Sequence, residues 1–155
     1  MAHSRIFEVS KYKMDPSDWL VADELAESTF VGNIADYVRN IGDIDRQESI
    51  EWLSKYTVGA LDVTLEDSDY KLALAQNAKQ TYFKERFESL KSMINKMTID
   101  EFADDLTAWT MQELITQRYS FYVYEEGLYQ TLDNFVRNAK DGEIYYICGV
   151  LDYQH

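Results

Sequence analysis

Between 77 and 118 the apolar residues keep to helical spacing, whereas the segments on either side alternate residue by residue. That change of period restricts the chain to a fold whose helices and strands come in blocks. From Asn77, a helix-capping residue type, Phe83, Phe87, Leu90, Ile94 and Met97 follow in steps of four, three, four and three. Thr98 with Glu101 has the form of a capping box, and Ile99, Phe102, Leu106, Trp109 and Ile115 carry the spacing on towards Arg118. The two halves are expected to pack as an antiparallel helical hairpin over roughly 77–118.

Strands are expected where the period falls to two. Over 5–10 one side of the strand presents Ile6, Glu8 and Ser10 and the other Phe7 and Val9. Asp15, Pro16 and Ser17 mark a turn or helix start ahead of Trp19, Leu20 and Leu25. Phe30, Ile34, Ala35, Tyr37, Val38 and Ile41 recur at three and four, with Gly42 as a stop, which predicts a helix over 30–41. Asp45 and Glu48 read as a capping box for a further helix that turns Ile50, Leu53 and Val58 inward and ends at Gly59. Alternation over 60–66 and 70–74, on either side of Asp67, Ser68 and Asp69, predicts a β-hairpin. A strand over 120–124, a helix capped by Thr131 and a last strand over 143–152 after Asp141 and Gly142 complete the chain. The expectation is one α+β domain over 1–155, with about five strands, mostly antiparallel, packed against about five helices. No repeat, linker or Gly-rich phosphate loop interrupts it, so a doubly wound parallel sheet is disfavoured.

Hydrophobic residues make up 46% of the chain, ample for a core at 155 residues. Cys148 stands alone, so no intramolecular disulfide forms, and a reducing cytoplasm is the simplest setting. No segment has the apolar length of a membrane span or the core of a signal peptide. A net charge of −13 repels phosphates and membrane surfaces, which argues against direct nucleic-acid or membrane binding and favours a basic protein surface as partner.

Residues able to do chemistry are sparse. His3 and His155 lie at the chain ends, where positioning is usually poor, and Cys148 falls in an apolar strand that should raise its pKa and leave it inert. The acid pairs Asp23–Glu24, Asp104–Asp105 and Glu125–Glu126 look solvated rather than catalytic, and Glu66, Asp67 and Asp69 lack the loop length of an EF-hand. No catalytic residue, metal site or cofactor is expected, although a carboxylate-only metal site assembled from distant segments stays open. More informative is the stretch 15–69, where fourteen Asp and Glu stand against Arg39, Arg46 and Lys55, a net of −11. Asp36, Asp43, Asp45, Glu48, Glu51, Asp62, Glu66, Asp67 and Asp69 are the expected partner-binding acids, on the condition that they line up as a phosphate backbone does.

The strings SRIFEVS, FVGNIADYV from Phe30, IEWL from Ile50, TLDNFV from Thr131 and GEIYYICGVLDYQH at the end resemble short acidic proteins carried by plasmids, phages and conjugative elements of Firmicutes. The resemblance implies protection of a mobile element, of the anti-CRISPR or anti-restriction type. Together with the charge it suggests a non-enzymatic inhibitor that covers the nucleic-acid-binding surface of a Cas9-like nuclease or a restriction enzyme. The alternative is a structural or regulatory interaction module, in one form a homodimer, that uses aromatics such as Trp19, Trp52, Tyr122 or Tyr129. The oligomeric state is left open by the sequence.

Overall fold

The computed structural model describes residues 2–26 and 28–155, and its sheet is organised around the last strand. β7 (Ile144–Gln154) is rich in aromatic and aliphatic residues and runs antiparallel along β1 (His3–Ser10). On its other side two strands share one edge: β4 (Asp69–Leu74) lies beside Ile144 to Ile147, and β2 (Tyr37–Asn40) beside Leu151 to Gln154. β3 (Leu61–Glu66) extends the sheet past β4. Beyond β1 come β5 (Tyr122–Glu125), paired parallel to it, and β6 (Leu128–Thr131). The result is a seven-stranded mixed sheet of order β3–β4–β7–β1–β5–β6, with β2 on the free part of the β7 edge.

Both faces of β1 and β7 are covered, which is why their inward and outward residues are equally apolar. One face packs Phe7, Val9, Tyr145 and Val150 against Ile50 and Leu53 of α3 (Asp43–Tyr56), Ala78 at the start of α4 (Ala78–Lys96), and Leu132, Phe135 and Val136 of α7 (Leu132–Asn138). The other packs Ile6, Leu151 and Tyr153 under Leu20, Leu25 of α1 (Ala22–Ala26), Phe30 and Ala35. There the Phe30 ring meets Tyr122, Tyr129 and Tyr153 edge-on at 5.0, 5.0 and 5.4 Å, the arrangement favoured by ring quadrupoles.

The α+β class, the β-hairpin at 61–74 and the helical pair within 77–118 follow the sequence expectation; several details do not. Among the described residues seven strands replace the expected five, the helices also outnumber the expected five, and the β1–β5 pair makes the sheet mixed. The helix expected over 30–41 is a single turn, α2 (Phe30–Asn33), followed by β2. Val31 is extended and Gly32 takes φ +94, so the backbone leaves the helix at once, and Tyr37 and Val38 gain strand pairing with β7 instead. Asp45 is not a cap: α3 starts two residues earlier, after Gly42, and Val58 is exposed rather than inward. Likewise Asn77 sits at φ +60 without capping α4, a role taken by Asp141, whose carboxylate accepts the N–H groups of Asn77 (2.9 Å) and Ala78 (3.3 Å). The Thr98 cap forms, but its helix stops as α5 (Ile99–Phe102), and Asp104 caps a new one, α6 (Asp105–Ile115).

Candidate functional site: the anionic sheet edge

Between the strips of β7 covered by β4 and β2, no strand pairs with Cys148, Gly149 and Val150 on that side among the described residues. The register with β1 also slips here, from Phe7 opposite Val150 to Val9 opposite Ile147, so that Glu8 faces a bulge at Cys148 and Gly149. Unpaired main-chain groups in such a break need partners. Arg46, reaching in from α3, donates to the carbonyls of Ile147 and Cys148, both at 2.9 Å, and lies over the Trp19 ring at 4.2 Å. From the other side the buried Glu8 carboxylate accepts the N–H of Leu20 (2.9 Å) and of Gly149 (3.1 Å). Burial raises the Glu8 carboxyl above its usual value, partly offset by those two donors, and burial lowers the Arg46 guanidinium. Gly149 is required by contact: a Cβ there would meet the carbonyl oxygen of Leu20 at 2.9 Å.

This break organises part of the acidic stretch. α3 begins just past β2 and the β3–β4 turn ends just before β4, so Asp43 at one and Asp67 and Asp69 at the other flank the same gap in the edge. The turn is two residues, Asp67 at φ +48 and Ser68 at φ +72, the left-handed pair that a tight hairpin demands. Asp45, Glu48 and Glu51 continue from Asp43 along the exposed side of α3, while Ile50 and Leu53 point into the core. Asp36 stands apart at the far end of β2 and Asp62 at the base of β3. Two of the nine acids are paired with lysines: Glu66 with Lys71 at 2.8 Å and Asp69 with Lys13 at 2.9 Å. Asp36, Asp43, Asp45, Glu48, Glu51, Asp62 and Asp67 have no ion-pair partner among the described residues.

At the opposite end of β7 lies a polar cluster that sequence reasoning missed. Asp152 is fully buried and directly opposite Arg5 on β1 and Arg39 on β2. It accepts from Arg5 Nη1, from Arg39 Nε at 2.6 Å and from His3 Nδ1 at 2.9 Å. With Nδ1–H so engaged, His3 Nε2 accepts from the Gln154 amide at 2.6 Å. His3 is therefore held within a strand, and His155 stacks on Tyr119 at 4.2 Å, contrary to the expectation of loosely placed chain ends. The signal was present in the alternation of β7, where an acid interrupts an otherwise apolar run. Cys148 is buried as expected, its thiol pushed up to about 12 by burial.

Of the aromatics read as contact residues, Tyr122 is buried, Trp19 is covered by Arg46, and Tyr129 is half-buried with its hydroxyl on Thr29. Trp52 is 45% exposed, with its inner edge against Phe121. A groove of about 610 Å³ runs between the end of α3 and α4, lined by Lys55, Tyr56, Lys84 and Arg86. Among the described residues no three His, Cys, Asp or Glu side chains converge as a metal site would require, and no helix is long and apolar enough to cross a membrane.

The fold and this edge define an α+β protein whose most distinctive surface is anionic. No protein-family model matches the chain, and no match is found among curated proteins or solved structures.

Proposed function

We propose that this protein is a non-enzymatic inhibitor that lays the acidic side of α3 and the adjoining hairpin turn on a basic, nucleic-acid-binding surface of another protein. The supporting observation is the run Asp43, Asp45, Glu48 and Glu51, four exposed carboxylates on one helix without a paired cation among the described residues. Their steps of two, three and three residues rise ~3 to ~4.5 Å along the helix, bracketing the ~3.4 Å spacing of charges along one DNA strand. A cleft built for phosphates can therefore accept this helix, and steering by the net charge of −13 speeds the encounter. By the mobile-element resemblance the target is a defence nuclease, Cas9-like or a restriction enzyme, met in the cytoplasm.

Cleavage of DNA by a guide-loaded Cas9 and by restriction enzymes, assayed with and without the protein, tests the reading. Inhibition of one of them, weakening as salt rises, is expected, with at least tenfold loss of potency when Asp43, Asp45, Glu48 and Glu51 are all reversed to Lys and the circular dichroism is unchanged. Inhibition that survives this reversal, or intact cleavage by every nuclease tried, rejects it.

A further inference from the structure

We infer that the helical hairpin formed by α4, α5 and α6 is a self-association surface, and that what covers it is the hairpin of a second copy of this chain. Within these helices the only buried residue is Ala78. Phe87, Ile94, Ile99, Phe102, Leu106 and Trp109 are all more than half exposed. At on the order of 100 Å² each, these six approach the roughly 800 Å² that one partner contributes to a standard stable interface. Scattered apolar side chains on a surface need no explanation, but this concentration on one projecting element does.

The charges say which partner fits. Apart from Arg86, which is held by the buried Asp133, α4 offers Lys79, Lys84, Lys91 and Lys96 against Glu85 and Glu88. The arm that follows, 98–116, carries Asp100, Glu101, Asp104, Asp105 and Glu113 and no basic residue. A two-fold pairing that sets α4 of each copy across the acidic arm of the other makes the same favourable contact twice, which is what a symmetric interface requires. It also brings two strongly acidic molecules together where they repel least, since 78–116 has a net charge of only −2 whereas 15–69 has −11. The acidic side of α3 lies outside the hairpin, so self-association and the inhibitory reading stand or fall separately.

Sedimentation velocity of the full chain over a concentration series tests this. The wild type is expected to dimerise, and Leu106→Glu with Trp109→Glu to weaken the dimer at least tenfold without changing the circular dichroism. Two charge-reversed chains probe the pairing itself, one with Lys84→Glu and Lys91→Glu, the other with Asp100→Lys and Glu113→Lys. Each alone is expected to self-associate at least tenfold more weakly, and an equimolar mixture to recover dimers. A wild-type chain that stays monomeric at every concentration overturns the proposal and leaves the hairpin to a different protein. So does a dimer indifferent to Leu106→Glu with Trp109→Glu, or a mixture that fails to recover.

Discussion

From Ile147 to Gln154 every residue of β7 is buried, polar and apolar alike, whereas α5 and α6 bury none of theirs, although α6 alone contains Leu106, Trp109, Met111, Leu114 and Ile115. In the sheet, burial extends even to Asp152 and Glu8, because Arg5, Arg39 and His3 surround the first and main-chain N–H groups hold the second. The hairpin is attached chiefly through its base. There Arg86 donates to both oxygens of the buried Asp133, at 2.8 and 2.7 Å, and Tyr82 adds a third bond at 2.7 Å. Burial works against the Asp133 carboxylate, but the Arg86 and Tyr82 donors outweigh it and keep its pKa below the usual value. Periodic apolar residues thus serve two ends in one chain. In the sheet they are consumed by the core, and in the hairpin they remain exposed.

The contrast is best broken where the sheet is tightest. Asp152→Ala leaves two guanidinium groups facing an uncompensated site, and urea unfolding is expected to show a loss of about 4 kcal/mol; a loss near zero would mean that the polar end of β7 is not part of the cooperative core. A smaller effect is expected at Glu8. Its carboxyl is raised by burial, so the folded state holds the proton more tightly than the unfolded chain, and the contribution is greatest below the unfolded value of 4.5 and declines as pH rises through the folded one. Glu8→Gln cannot ionise, so its stability relative to wild type should improve from acid to neutral pH; a pH-independent difference would contradict the buried, perturbed carboxyl. Least of all should change in the hairpin: Leu106→Glu, measured at dilutions where the chain is monomeric, is expected within about 0.5 kcal/mol of wild type. A loss of several kcal/mol there would show that Leu106 belongs to the molecule's own core.

Much of the element map could be read from local pattern. Thr131 caps the helix it was expected to cap, and Thr98 caps at the expected place although its helix ends early, because a side-chain oxygen reaching a nearby N–H involves only neighbours in sequence. The stretch 30–41 misled because Phe30, Ile34, Ala35 and Val38 do face one apolar cluster, but from a turn and a strand. Spacing reports which residues point inward, not the backbone that carries them there. Of the acids on α3 only Glu48 and Glu51 were legible as helical, opposite Ile50 and Leu53, since the expected cap at Asp45 left Asp43 outside the helix; the lysine partners of Glu66 and Asp69 were not legible, as Lys13 is distant in sequence from Asp69 and Lys71 meets Glu66 only once the turn closes.

By itself the sequence determined the α+β class, the charge and the helical pair, all of which depend on composition and short-range period. Tertiary structure alone decided that β7 is shared by β1, β2 and β4, that Arg46 and Glu8 close its break, and that Asp152 is buried among cations from two other strands. It also decided that the hairpin's apolar side chains find no cover among the described residues. The physical reason is the same in each case: burial is set by which distant segments meet, and no local pattern encodes the neighbour that will, or will not, arrive.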